Sequence, residues 1–330
     1  MEKKENNSLI NLPELVSTAF LDLIKNAEGR SAEALKRQVF FSDKENSFEA
    51  FEKADPLGEA NYMATPFSVH QYPNRVLVLT TGRCLGYCRY CFRREFTARA
   101  QGFLSDAELD KVLDYIMAKP EVTEILLSGG DPLSADFETL ERTLLRIRER
   151  SKNLLIRVCT RANIFAPSLF TEKLIRLFRK CKPLWIIPHI NHPAELGEAQ
   201  VHSIEACLDA GVPMQSQSVL LRGVNDEAEI LAELFTKLVQ LGVKPGYLFQ
   251  LDTARGTSHF AVPLNEALSL WRKLSNMLSG LSRPEFAVDL ENGGGKFSLS
   301  ALALNEQIIE IQDEGFKVRK PDGKIFGYKI

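Results

Sequence analysis

The stretch RVLVLTTGRCLGYCRYC, residues 75–91, joins an apolar, β-rich run (Arg75–Thr80) to a loop that carries three cysteines. The run reads as a strand. Its rhythm recurs downstream at Glu124–Leu127, Leu154–Cys159, Leu184–His189, Pro213–Leu220 and Tyr247–Asp252. Helical patterns separate these runs. One begins at Ser105, where Ser105-Asp106-Ala107-Glu108 is a capping-box pattern. The others fill Asp136–Glu149, Ser168–Arg179, Glu198–Ala210 and Asp226–Leu241. After the first, longer unit the repeat is about 30 residues, the length of a βαβ unit. Strands alternating with helices predict an α/β fold with a parallel sheet and right-handed crossovers. Six such units fit a partial (β/α)6 TIM-type barrel. In barrels the chemistry sits where strands end. Here the strand ends carry Cys84, then Gly129-Gly130-Asp131, Arg161, His189 with Asn191, Gln217, and Asp252.

Outward from this core, residues 1–70 are polar and helix-patterned and read as a helical N-terminal extension, with Leu9–Asn26 and Ala32–Phe41 as amphipathic helices and no strong strand. Residues 71–262 form the barrel core. Residues 263–330 read as an α+β tail: a helix at Asn265–Leu278, a strand at Phe286–Leu290, the run Gly293-Gly294-Gly295-Lys296, and a hairpin over Phe316–Tyr328 turning at Pro321-Asp322-Gly323. The 330 residues hold 41 Lys+Arg against 43 Asp+Glu, so no basic surface points to nucleic acid. The first residues lack the apolar segment of a secretory signal, and no run reaches the ~18 apolar residues of a membrane helix. A cytoplasmic protein that binds neither membrane nor nucleic acid is expected.

Three of the six cysteines, Cys84, Cys88 and Cys91, fall within eight residues, and such clustering suggests a metal more than disulfides. Three thiolates on a tight loop can hold a [4Fe-4S] cluster and leave one iron open, which marks a catalytic rather than a structural centre. A structural zinc would want a fourth ligand close by, and none of the next residues is Cys or His. Cys159, Cys181 and Cys207 lie in apolar segments and read as ordinary buried thiols.

The three-cysteine spacing after a first barrel-type strand resembles the signature of the radical S-adenosylmethionine enzymes. Within that superfamily the chain is similar to the lysine 2,3-aminomutase group, through Cys84–Phe96 (CLGYCRYCFRREF), His189–Pro193, Gln217–Asp226 and Gly293–Lys296. The resemblance covers Tyr62 to Lys296. It implies a radical S-adenosylmethionine and pyridoxal 5′-phosphate dependent isomerase that converts L-α-lysine to β-lysine by 1,2-amino migration. A flavodoxin- or ferredoxin-type reductant is implied as electron source, and a homo-oligomer is compatible.

The resemblance also implies roles residue by residue. Cys84, Cys88 and Cys91 would bind the cluster. Ser128, Gly129, Gly130 and Asp131 would hold the methionine end of S-adenosylmethionine, with His189 and Gln217 lining its pocket. By itself Gly-Gly-Asp is also the chemistry of a tight βα turn. Lys296 would carry pyridoxal phosphate covalently, beside Tyr72 and Arg75. Arg93 would grip the substrate carboxylate, and Asp252 and Asp289 its far ammonium. Arg161, by its place at a strand end rather than by the resemblance, reads as an anion contact. Gln71 stands where the lysine enzymes usually carry an arginine, and Phe249 where the larger ones carry a tyrosine. No cysteine follows Cys207, so the tail zinc of the larger enzymes is not expected. Three other readings stay open: an aminomutase supplying β-lysine for elongation factor P, a radical aminomutase of another amino acid, and a non-catalytic iron–sulfur electron carrier or sensor.

Overall fold

A computed structural model describes residues 12–47, 49–99, 102–290, 294–305, 307–312, 315–319 and 323–329. Gly293 and the Pro321-Asp322 turn, both read from the sequence, lie outside these.

The first helices are α1 (Thr18–Asn26) and α2 (Gly29–Val39). The predicted helix over Leu9–Asn26 thus begins only at Thr18. Pro13 precedes it, and the Ser17 side chain caps the helix by accepting from Phe20 N at 3.2 Å. A sheet follows: β1 (Met63–Thr65), β2 (Ser68–Tyr72), β3 (Arg75–Thr81), β4 (Glu124–Gly129), β5 (Leu155–Thr160) and β6 (Leu184–Pro188) pair in that order. The first two are antiparallel and the rest parallel. The sequence offered no strong strand there: β1 is a three-residue edge strand, and β2, paired between β1 and β3 with an irregular register on each side, carries no long apolar run.

A second sheet contains β7 (Gln215–Val219), β8 (Lys244–Phe249), β9 (Glu285–Leu290) and β10 (Gly295–Ser298). The bridges Ile186↔Met214 and His189↔Gln217, both parallel, join the two sheets across β6 and β7. The result is a partial barrel in which β3 to β9 run parallel, one strand more than the six expected, since β9 pairs parallel with β8. Strand β8 also starts and ends three residues before the run read as Tyr247–Asp252. Pro245 and Gly246 hid its beginning, because both are poor strand residues. Asp252 therefore stands on the loop after the strand.

Helices α3 (Arg94–Arg99), α4 (Asp106–Met117), α5 (Phe137–Arg150), α6 (Ala162–Phe165), α7 (Glu172–Lys180), α8 (Glu198–Asp209) and α9 (Ala228–Gln240) fill the crossovers. The Ser105 capping box forms as read, with Glu108 accepting from Ser105 N at 2.6 Å. Alternate strand residues Val76, Val78, Ile125, Leu127, Ile156 and Val158 are fully buried in one core cluster with residues of these helices. The intervening Leu77, Leu126, Arg157 and Cys159 are half-buried and line the barrel interior. Cys181 and Cys207 are buried as expected; Cys159 is not an ordinary core thiol, because its position on β5 turns it inward. The tail adds α10 (Leu264–Met277), α11 (Leu299–Asn305) and a separate antiparallel sheet of β11 (Ile308–Gln312), β12 (Gly315–Arg319) and β13 (Ile325–Lys329), the last two being the expected hairpin.

Candidate active site

The cysteine loop leaves β3 and is held from two sides. Gly129 sits at φ +110°, and a Cβ there would lie 2.6 Å from Thr81 O; at Gly130 a Cβ would lie 2.0 Å from Arg83 O. Only glycine permits this approach. It lets Gly130 N donate to Thr81 O at 2.6 Å and Asp131 N to Arg83 O at 2.7 Å. The Asp131 carboxylate accepts from Leu133 N, Thr160 Oγ1 and Arg161 N at 2.8–2.9 Å. The Gly-Gly-Asp segment thus locks the loop to β4 and β5 with its own polar groups, the part a tight turn plays.

From the other side comes the N-terminal segment. Arg89, between two cysteines, is buried and donates to both oxygens of Glu45, with Nη2–Oε2 at 2.7 Å, while its Nη1 donates to Leu12 O and Pro13 O at 3.1 Å. Arg94 Nη2 also reaches Glu45 Oε2, at 2.7 Å. Burial alone would raise the Glu45 carboxyl, but the bonds and charges of Arg89 and Arg94 hold it below the usual glutamate range. The motif reading missed Glu45. Its only signal was Ser42-Asp43-Lys44-Glu45, a capping-box pattern that indeed forms.

The cysteines carry the chemistry of a cluster ligand set. Among the described residues no three Cys, His, Asp or Glu side chains close on a point fit for a single ion. Burial pushes the Cys91 thiol up to about 11, with the nearby Cys88 adding to it, and Cys84 is raised further by burial, Cys91 and Asp131. Sulfurs crowded this way need positive charge between them to ionise together, which irons would supply. Arg161 already contributes some: its Nη1 donates to Cys88 Sγ at 2.9 Å, and its Nη2 to Glu195 Oε2 at 2.7 Å and to Gln38 Oε1 at 2.9 Å. Arg161 therefore serves a sulfur and a buried carboxylate. His189 Nε2 meets Tyr90 Oη at 3.0 Å, and Asn191 Nδ2 donates to the same hydroxyl at 2.7 Å. Burial, helped by Arg161, lowers His189 to about 3, so the ring is neutral. Gln217 stands opposite His189 on β7.

The second half of the site lies where β9 and β10 meet the β2–β3 turn. Asp289 and Lys296 are direct cross-strand partners, and Lys296 Nζ contacts both Asp289 oxygens at 2.7 and 2.8 Å. The ammonium lies 4.7 Å from the centre of the Phe249 ring and 5.8 Å from that of Tyr247. Gly295, at φ +75°, brings the backbone against Tyr72, whose ring a Cβ would touch at 3.4 Å. Arg75 stacks over Tyr72 at 3.7 Å. The buried Tyr72 hydroxyl faces the Lys296 backbone but completes no well-formed hydrogen bond within the chain. An aromatic wall, an arginine, a lysine amine and an unmatched hydroxyl fit a flat anionic cofactor.

The two halves meet at Asp252. Burial raises its carboxyl to about 7, Asp289 and Glu59 add to the rise, and Lys296 and Arg93 oppose it. Arg93 Nη1 donates to Ser128 Oγ at 3.2 Å, while Glu59 accepts from Arg93 Nε at 2.8 Å and from Nη2 at 2.5 Å. The sequence reading missed Glu59 as well; nothing in Asp55–Glu59 is a motif.

Comparison with known proteins gives the family. Residues 78–235 match the radical SAM superfamily model. The solved structure of Streptococcus suis SuiB bound to S-adenosylmethionine shares the fold, with a TM-score of 0.53 at 12% identity over 68% of this chain and 52% of that one. L-lysine 2,3-aminomutase of Clostridium subterminale is 39% identical over 73% of this chain, which spans 58% of the length of that protein. A Treponema pallidum protein named "Putative L-lysine 2,3-aminomutase" is 54% identical over 96% of this chain and 90% of its own length. With that likeness running through both halves of the site, the chain belongs to the lysine 2,3-aminomutase family of the radical SAM superfamily.

Proposed function

We propose that this protein is an L-lysine 2,3-aminomutase, moving the amino group of L-α-lysine to the β-carbon. The observation that carries the reading is the convergence of Arg93, Asp252, Asp289 and Lys296 in one electrostatic neighbourhood. A guanidinium suits a carboxylate, and two half-buried acids suit an ammonium and repel an acidic side chain. An electron carrier or sensor has no use for that set.

Cys84, Cys88 and Cys91 would hold the [4Fe-4S] cluster. Ser128, Gly129, Gly130, Asp131, Arg161, His189 and Gln217 would surround S-adenosylmethionine, and Lys296, Tyr72 and Arg75 pyridoxal phosphate. When bound, these groups supply a carbon radical that abstracts hydrogen and a carrier for the migrating amine. The chain's residues do the rest. Asp289 holds Lys296 Nζ while that amine carries a proton, and turns to the substrate ammonium otherwise. Neutral His189 adds no charge beside the cluster loop. Tyr247 and Phe249 line one side of the Lys296 amine.

The division into residues 1–70, 71–262 and 263–330, a cytoplasmic location and a flavodoxin- or ferredoxin-type donor belong to the same reading. Among the described residues no helix is long and apolar enough to cross a membrane. The test is anaerobic: reconstituted protein, reductant, S-adenosylmethionine, pyridoxal phosphate and L-lysine, with β-lysine detected by mass spectrometry. Formation of β-lysine that disappears in Asp252→Ala and Asp289→Ala is expected. Cleavage of S-adenosylmethionine with lysine untouched would overturn the substrate assignment.

A further inference from the structure

We infer that Glu59 is a positioning residue for substrate recognition: by gripping one edge of the Arg93 guanidinium, it presents the other edge to the carboxylate of the amino acid. The inference rests on the reading of Arg93 as the carboxylate anchor.

An arginine offers five N–H donors in a rigid plane. Glu59 takes Nε–H and one N–H of Nη2, the side-on edge, at 2.8 and 2.5 Å. Ser128 Oγ takes one N–H of Nη1 at 3.2 Å. One N–H on each terminal nitrogen is left, and those two nitrogens form the end-on fork that a second carboxylate uses. The Phe92 ring, 4.4 Å from the guanidinium carbon, limits its tilt.

Glu59 is itself held. Asp55 accepts from Glu59 N at 3.0 Å and from Ala60 N at 2.9 Å. The segment before it is tied to the loop that carries Asp252: Lys53 N donates to Thr253 O at 2.9 Å, and buried Glu52 accepts from Thr257 N and Ser258 N at 2.9 and 2.6 Å. One strap, residues 52–59, therefore touches the loop of the ammonium-binding acid at one end and the carboxylate-binding arginine at the other. Two effects of Glu59 oppose each other. Its charge weakens the pull of Arg93 on a second anion, while its fork removes the rotational freedom that a long arginine would otherwise lose on binding. With side chains only 12% and 16% exposed, Arg93 and Glu59 form a nearly desolvated pair in which both effects are large, and the sign of the change in KM decides between them.

The experiment uses the reconstituted, cofactor-loaded protein. From a panel of α-amino acids that includes L-lysine, the best substrate of the wild type is chosen, and kcat and KM are measured for it and for its carboxamide in wild type, Glu59→Gln and Glu59→Asp. Pyridoxal absorbance and iron content of each variant report that the fold is kept. Expected is a rise in KM of about tenfold in Glu59→Gln, a smaller rise in Glu59→Asp, little change in kcat, and no further loss on the carboxamide. An unchanged KM in Glu59→Gln overturns the inference, and a lowered KM shows Glu59 to be a competitor of the substrate instead. Another amino acid as best substrate overturns the lysine reading alone, and the Glu59 test then proceeds on that amino acid. A wild type that takes the carboxamide as well as the acid overturns the roles of both Arg93 and Glu59.

Discussion

Asp252 ties the site's charges together. Its carboxyl is raised to about 7, first by burial and then by Asp289. Only the ionised form attracts an ammonium, so substrate affinity must grow as the pH climbs through neutrality and fade below it. A kcat/KM profile for lysine should rise with a midpoint near that value. A profile that stays flat between acid and neutral pH would deny Asp252 this role. At the same scale, the residues read from motifs and those found only in the structure differ in kind. Lys296, Asp289 and Arg93 were legible because they stand at fixed offsets from glycines or cysteines. Glu45, Glu52 and Glu59 were not, because their partners lie 34 to 206 residues away and no local spacing encodes them.

At the scale of elements, the β-rich runs identified β3 to β7 to within two residues of their ends, since the hydrophobic run is itself the physical cause of a buried strand. β1, β2 and the true start of β8 escaped because β1 is only three residues long, β2 carries His70 and Gln71 in place of an apolar run, and Pro245 and Gly246 break that pattern. The end of β5 illustrates what an element delivers. It places Arg161 so that one N–H reaches Cys88 Sγ at 2.9 Å and another reaches Glu195 at 2.7 Å. Hydrogen bonds to cluster sulfurs, and positive charge beside them, favour the reduced state. Replacing Arg161 by Gln should lower the midpoint potential of the bound cluster, on the order of 60 mV for a tenfold change in a one-electron equilibrium. Redox titration followed by electron paramagnetic resonance would measure it, and an unmoved potential would reduce Arg161 to a packing residue.

For the whole molecule, the N-terminal segment is a brace rather than an appendage. Glu45 closes a buried triad with Arg89 and Arg94. Its removal leaves two buried guanidinium groups without their counter-charge, a loss of about 3–5 kcal/mol. Glu45→Gln should therefore lower the denaturation midpoint and the iron retained per chain together; full iron retention at lowered stability would separate the brace from the cluster loop. Because the folded-state carboxyl is held low, its contribution is complete above the ordinary glutamate range and is lost progressively as the pH falls from that range through the lower folded-state value.

The braces differ in how far along the chain they reach. A ribosome delivers Glu45 and Arg89 only 44 residues apart, but Glu52 and Thr257 are separated by 205. Contacts between near neighbours form early, and distant ones wait for the rest of the chain. The iron end of the molecule can be braced while translation is still under way. The end that carries Asp252 and Asp289 closes only after most of the polypeptide has emerged, so a truncated nascent chain would own the means to hold iron, and the Glu59–Arg93 pair 34 residues apart, before it has the two acids that would choose what the resulting radical attacks.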